Sequence, residues 1–212
     1  MGSTAISAQG TLVQVSSGSG GAKTVSGLAL GNPTIVTATA HGFNNGDVVT
    51  FASLGGNTTL NGKTLVVKNK TTNTFAVDVD TTGGTAYTTG GTATPSTFTK
   101  IGNAKQFNGL DGSASEQDVS NFDSTGKEFI LGLYDGGNMT VDLDIDMNDA
   151  GQQSARAACQ GSLKKTVKFT FPDASTLTFD AFVKKFTITG GVDKTITGQI
   201  SLRITGAYTV TP

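Results

Sequence analysis

The chain reads as an all-β protein carrying one helix, and three features of its 212 residues predict this. Gly, Thr, Val, Ser and Phe dominate, Trp is absent, and Leu and Glu show little helical arrangement. Short runs in which apolar and polar side chains alternate recur along the length, most clearly from Val141 to Met147. Turn residues punctuate them: Asn45-Gly46, Gly55-Gly56, Asn61-Gly62, Gly83-Gly84, Gly90-Gly91 and Asp135-Gly136-Gly137. The expected architecture is a β-sandwich or half-barrel with one α-helix, plus an inserted small all-β domain.

Residues 1–9 read as a flexible arm, residues 10–15 (GTLVQV) as a first strand and residues 16–21 (SSGSGG) as a flexible linker. Five short β-runs follow at 34–39, 47–51, 63–68, 74–79 and 85–89, a compact small barrel or sandwich. Residues 92–96 (TATPS) form the expected return linker, and residues 97–107 (TFTKIGNAKQF) resume as a strand that completes a hairpin with the first. Loop tips accept insertions because their ends are close and exposed. The expected division is therefore a discontinuous domain of residues 1–24 and 95–212, with residues 25–94 inserted as a β-rich accessory domain.

Residues 108–128 are acidic and rich in Gly, Ser and Asp, which predicts a long loop. An apolar run at 129–133 and the Asp135 turn lead into a strand with Val141, Leu143, Ile145 and Met147 on one face. Its other face carries Asp142, Asp144 and Asp146. Three like charges in a row repel, so that face is exposed or lines something acidic. Asn148 is placed to cap a helix over 149–160 that stops at Gly161 and offers Ala150, Ala155, Ala157, Ala158 and Cys159 as a small-residue face. Residues 165–171 and 175–183 flank the turn Pro172-Asp173-Ala174. Residues 185–189 and 196–210 flank Gly190-Gly191-Val192-Asp193, the last run alternating Ile200, Leu202 and Ile204 with Gln199, Ser201 and Arg203.

A net charge of −1 gives no case for electrostatic binding of nucleic acid. The charge is nonetheless uneven: between 111 and 149 the acids face one base, Lys127, whereas from Arg156 onward bases outnumber Asp173, Asp180 and Asp193. Such a split either marks two faces that meet head to tail or is mixed away by folding, and both readings stand. The single Cys159 allows no internal disulfide, suits a reducing compartment and reads as a packing thiol. The first residues lack the basic and apolar regions of a secretion signal, and no stretch reaches membrane-spanning length, so a soluble protein made in a cytoplasm is expected.

The chemistry-bearing residues do not assemble into a catalytic set. His41 is the only histidine, which leaves no His-based triad and no His/Cys zinc set, and it reads as a turn residue at a strand end. Asp142, Asp144, Asp146 and Asn148 have the spacing of a calcium loop. However, Met147 replaces the required glycine and Gln153 the bidentate glutamate, so a strand face fits better. No glycine pair opens a helix in phosphate-cradle spacing. No catalytic, cofactor-binding or metal residue is assigned, and neither an enzyme nor a cofactor is expected. A reading from another class is a secreted or surface adhesin with two β-domains. It would call for a secretion signal, exposed aromatics or a complete metal loop, none of which the sequence displays.

The order of segments also carries a family resemblance. It runs SASEQDVSNFDST (113–125), KEFILGLYDGGNMTV (127–141), the helix near 149–160, PDASTLTFDAFV (172–183) and TGQISLRITG (197–206). In that order the segments resemble the major tail tube proteins of long-tailed, non-contractile (siphovirus-type) bacteriophages, over roughly two-thirds of the chain: about 5–17 and 95 onward. The resemblance implies a structural virion protein that polymerises as stacked hexameric rings into a tail tube, the conduit for DNA ejection. It implies as partners further copies of the chain, a tape measure protein, a tail terminator and tail-tip or initiator proteins. DNA passes transiently and no membrane is involved. Assembly would take place in the host bacterial cytoplasm and the product would reside in the virion tail. By the same resemblance Asp142, Asp144 and Asp146 face the lumen, and a loop bearing Asp111, Glu116, Asp118 and Asp123 contacts the next ring. Lys164, Lys165, Lys184 and Lys185 form the complementary basic surface. The 25–94 stretch resembles a small β-barrel unit that recurs in phage virion proteins, which implies a shape and no function.

Overall fold

Where the sequence alternates, one face is buried: Met139, Val141 and Leu143 on one strand, and Ile200, Leu202 and Ile204 on its neighbour, are all 4% exposed or less. A computed structural model describes residues 5–212, so residues 1–4 of the expected arm lie outside the described residues, while 5–10 are exposed. The elements in order are β1 (Leu12–Ser19), β2 (Lys23–Thr24), β3 (Gly27–Ala29), β4 (Thr34–Thr37), β5 (Val48–Ala52), β6 (Thr64–Val66), β7 (Thr74–Val77) and β8 (Thr92–Lys100). Then come β9 (Ala104–Gly109), β10 (Ser113–Asp118), β11 (Phe129–Asp135), β12 (Asn138–Asp144), α1 (Ala150–Gly161), β13 (Lys164–Thr170), β14 (Thr176–Thr189) and β15 (Thr197–Thr211). The fold is all-β dominated, with one helix among the described residues.

The larger lobe is one antiparallel sheet in the order β8-β1-β13-β14-β15-β12-β9, with α1 packed on β14, β1 and β8. The sheet curls, because Phe107 on β9 reaches Phe169 on β13 with ring centroids 5.2 Å apart. The result is a half-barrel plugged by a helix. Its core joins Val13, Val15, Phe169, Phe179 and Ile200 to Ala155 and Ala158 of the helix. Ala150 and Ala157, expected on the packing face, are exposed; Gly151 and Gln152 are buried in their place. Gln152 is tolerated there because its amide donates to the carbonyls of Gly102 (3.1 Å) and Asp144 (3.0 Å).

The helix starts one residue later than the sequence predicts. Asp149 is the N-cap: its carboxylate accepts from Gln152 N (2.7 Å) and also from Gly102 N (3.2 Å). The helix ends on Ser162 in the left-handed region, not on Gly161. Asp149→Ala removes both hydrogen bonds, and a loss of about 1–2 kcal/mol in urea unfolding is expected.

A second core lies in residues 25–93, where Val36, Phe43, Phe51, Leu60, Phe75 and Val77 pack together. It is built from the small sheet β3-β4-β7 facing β5, β6 and the first half of β8. His41 belongs to this core: it is 1% exposed, its Nδ1 accepts from Phe43 N (3.0 Å), and its ring lies against Phe43 and Phe75.

Several sequence expectations are corrected here. Both expected linkers are strand: β1 runs on to Ser19 and pairs with Ser96–Phe98 of β8, whose first residues pair with β2 and β5. The two lobes therefore share one continuous strand, and main-chain hydrogen bonds replace the flexibility that Gly and Ser composition predicts. The stretch 97–107 is not one strand. Asn103 takes a positive φ of 57°, and the chain passes from β8 to β9 on the far edge of the curled sheet. Residues 85–89 form no strand; Gly55 N and Thr88 N instead bond across that loop to Thr89 O and Gly55 O. Thr176–Thr189 is one long strand with a bulge near Val183, where the sequence suggests two. The expected loop 108–128 contains a strand, β10, because it pairs with β11.

Candidate self-association surface

The hairpin β10–β11 is a two-stranded ribbon with no third strand among the described residues. Its register sets Asp118 opposite Phe129, Gln117 opposite Ile130 and Glu116 opposite Leu131, with a bulge before Ala114 opposite Tyr134. One strand is thus polar and the other apolar on both faces. Phe129, Ile130, Leu131, Leu133 and Tyr134 are all more than half exposed, Leu133 at 94%. Isolated two-stranded hairpins are marginal in water, and a contiguous apolar patch of this kind marks an interaction surface. The signal for this was in the sequence. SASEQD offers FILGLY no apolar partner, so a hairpin of the two cannot bury itself.

The ribbon is nonetheless held at a fixed angle. At its neck Asp111 Oδ1 accepts from Asn138 N (2.7 Å). Asp135 Oδ1 accepts from Gly137 N (2.9 Å), and its other oxygen is paired with the Arg203 guanidinium of β15. The Gly137 N–H first, and Arg203 after it, hold the Asp135 carboxyl below the usual carboxylate range. A lowered folded value stabilises above the ordinary range and is lost as pH falls through it. An NMR titration is therefore expected to place the Asp135 midpoint below that of a free aspartate, with the Gly137 amide shifting in step. Gly109 sits at φ +137°, and a Cβ there would lie 2.6 Å from Met139 Cα. Gly109→Ala is expected to cost more than about 1 kcal/mol and to loosen the neck, read as faster amide exchange in β10 and β11.

The acids predicted to reach a neighbour divide into two groups. Asp111 is used in the neck, and Asp118 accepts from Ser120 N (2.9 Å) and pairs with Lys127 at 3.4 Å. Glu116 and Asp123 are exposed, and Phe122 stands bare at the loop tip beside Asp123. Of the predicted basic surface, Lys164 is paired with Asp180 (2.7 Å) and Lys165 donates to Ser16 O (3.1 Å) within the same chain. Lys184 and Lys185 are exposed. Two of the four bases are thus engaged within the chain.

The expected acidic stripe is also different in kind. β12 ends at Asp144, so Asp142 and Asp144 share a face, but Asp146 lies in the turn before α1, where it accepts from Asn148 N (2.9 Å). Met147 is half exposed rather than on the core face. Asp142 accepts from Gln199 Nε2 (2.8 Å), and Asp144 is paired with Lys105 of β9 at 2.6 Å, a base that sequence reasoning did not connect to it. The registers set Gln106 and Gln199 beside Asp142, and Asn108 and Ser201 beside Thr140. The face carries mostly hydrogen-bonding side chains, with the Lys105–Asp144 pair, Asp142 held by Gln199, and exposed Lys185 opposite Ser201.

Among the described residues no cluster of His, Cys, Asp and Glu is placed to hold a metal ion, and no helix is long and apolar enough to cross a membrane.

Comparison with known proteins gives three findings. Residues 31–97, under half of the chain, match the family model of the ubiquitin-activating enzyme E1 FCCH domain. No curated protein matches. Among solved structures, a chain of the virion of the native gene transfer agent (GTA) particle is 15% identical, with 54% of this chain and 89% of that chain covered at a TM-score of 0.47. A chain from the tail of the empty GTA particle, computed with C6 symmetry, is likewise 15% identical over 54% and 87% at 0.47. One from the anti-feeding prophage baseplate is 9% identical over 54% and 84% at 0.46. At these scores the likenesses assign neither family nor function.

Proposed function

We propose that the chain is a structural subunit of a phage-type tail, polymerising as stacked rings into the tube through which DNA leaves. The observation that carries this reading is the braced ribbon with apolar side chains on both faces. Such an element gains from burial only against other molecules, and a rigid neck suits a repeated contact made at one angle. The ordered resemblance of 113–206 to tail tube proteins supports the same reading.

In this proposal the β10–β11 ribbon bridges successive rings, with Glu116 and Asp123 at its rim. The neutral face of β9, β12 and β15, with Asp142 and Asp144, turns to the lumen, while Asp146 lies off it. A lining of amides and hydroxyls in which acids and bases balance holds DNA phosphates weakly and lets them slide. Residues 25–94 are proposed as a domain inserted between the two parts of the tube domain, 1–24 and 95–212. Their separate core and the family match at 31–97 support that division. The ring number, the tape measure, terminator and initiator partners, and location in the virion belong to the same proposal.

Gold-labelled antibody against the smaller lobe tests it on whole particles. Label along the full tail is expected. Label confined to one end would assign the chain to a terminator or baseplate ring, and label absent from tails would remove the reading.

A further inference from the structure

Stacking head to tail joins two unlike surfaces, so a chain that stacks needs a second patch to receive the ribbon. The two ends of β12 show where each lies. Its first residue, Asn138, pairs with Arg203 of β15, and its last, Asp144, pairs with Thr197. The ribbon leaves the sheet just before Asn138, and the turn between β14 and β15 projects just beyond Thr197. A protruding hairpin thus stands at each end of this strand pair, their bases about 20 Å apart.

The far hairpin is apolar where turns are ordinarily polar. Its turn is well formed: Lys194 N donates to Gly191 O (3.2 Å), and Asp193 takes a φ of 59°. Val192 at its tip is 91% exposed, and Ile188 and Ile196 at its base are about half exposed. Ile145 N donates to Ile196 O (2.9 Å), which ties the segment carrying half-exposed Met147 to the same end. The turn borders an open cleft of about 710 Å³ lined by Val192, Lys194 and the two glycines. The other exposed apolar side chains of β14 and β15 are Phe182, Tyr208 and Val210. They lie level with the ribbon neck or past it, since Phe182 pairs with Arg203.

The two hairpins also differ in charge. Residues 111–135 hold six acids and one base, Lys127. Residues 184–196 hold three lysines and one acid, Asp193. Among the described residues Lys184, Lys185 and Lys194 are exposed and enter no ion pair. A ribbon meeting a second ribbon would oppose like charges and close as a dimer, whereas ribbon on turn opposes unlike charges and continues. We infer that the ribbon of one copy seats on the β14–β15 turn of the next, Phe122 entering the cleft beside Val192 and Asp123 meeting Lys194. Phe122 and Asp123 stand exposed in the ribbon's end loop, which Ser124 N closes by donating to Asn121 O (3.1 Å). The inference rests on the tail reading for the stack and adds the surface that receives the ribbon.

The test is assembly of the full chain seeded with sheared tails, read as loss of free chain in sedimentation velocity, with circular dichroism reporting the fold. Val192→Ser is expected to weaken association about tenfold or more, the loss that follows removal of one buried aliphatic contact. Asp123→Lys and Lys194→Glu are each expected to weaken it, and the two together in one chain to regain most of it. In a Cys159→Ser background, mixing Asp123→Cys chains with Lys194→Cys chains is expected to give a disulfide-linked pair that neither forms alone. A folded Val192→Ser chain that assembles like the parent, a double charge variant as weak as its singles, or no linked pair would overturn the inference. If Leu131→Ser with Leu133→Ser stops assembly while Val192→Ser does not, the receiving surface lies elsewhere and the tail reading stands. A parent chain that never adds to the seeds overturns both.

Discussion

Leu131→Ser combined with Leu133→Ser is expected to leave a folded monomer and to abolish self-association. The two side chains are 69% and 94% exposed in the single chain, so their replacement removes nothing from either core. Burying each against a neighbour is worth about 1.5–3 kcal/mol. Together that is about 3–6 kcal/mol per copy, or on the order of 10²–10⁴-fold in association. Sedimentation velocity reads the assembly, and circular dichroism reads the fold. A double variant that assembles like the parent would move the contact off the ribbon.

Phe75→Ala is expected to cost about 3–5 kcal/mol, the usual penalty for emptying a fully buried aromatic site. Phe75 is 0% exposed and its ring meets His41 at 5.1 Å, Phe43 at 5.5 Å and Phe51 at 6.2 Å, so its removal empties the centre of an aromatic cluster. The two cores share no residue. The loss is therefore expected to fall on β4, β5 and β7 in segment-resolved hydrogen exchange, with β13, β14 and β15 keeping their protection. Equal loss in both lobes would show that the shared strand β8 makes them one folding unit.

These two sites also show what could be read from the sequence. Alternation and turn chemistry located β12, β13, β14 and β15, since each buries one apolar face and period two reports that directly. They failed where main-chain pairing, not side-chain pattern, decides the structure. Ser16–Ser19 became strand because β8 lies opposite, TATPS because β2 and β5 pair with it, and SASEQD became β10 because FILGLY lies opposite. Asp146 and Met147 continued an alternating pattern on paper. In the chain, the helix cap at Asp149 bends the backbone away after Asp144. The charge split was legible as a count but not as a surface: Lys164, Lys105 and Arg203 find acids of the same chain and Lys165 a backbone carbonyl, and only folding decides which. The apolar run at 129–133 and the lack of an apolar partner in SASEQD were both visible, and what only the fold showed is that these two segments pair.

The most direct test of the assembly claim is electron microscopy of the purified chain, concentrated and seeded with sheared tails. Hollow tubes that lengthen from the seeds, with a regular axial repeat and knobs from the smaller lobe on their outside, are the expected result. Seeds that stay the same length in the presence of folded chain, or closed dimers in place of tubes, would contradict it.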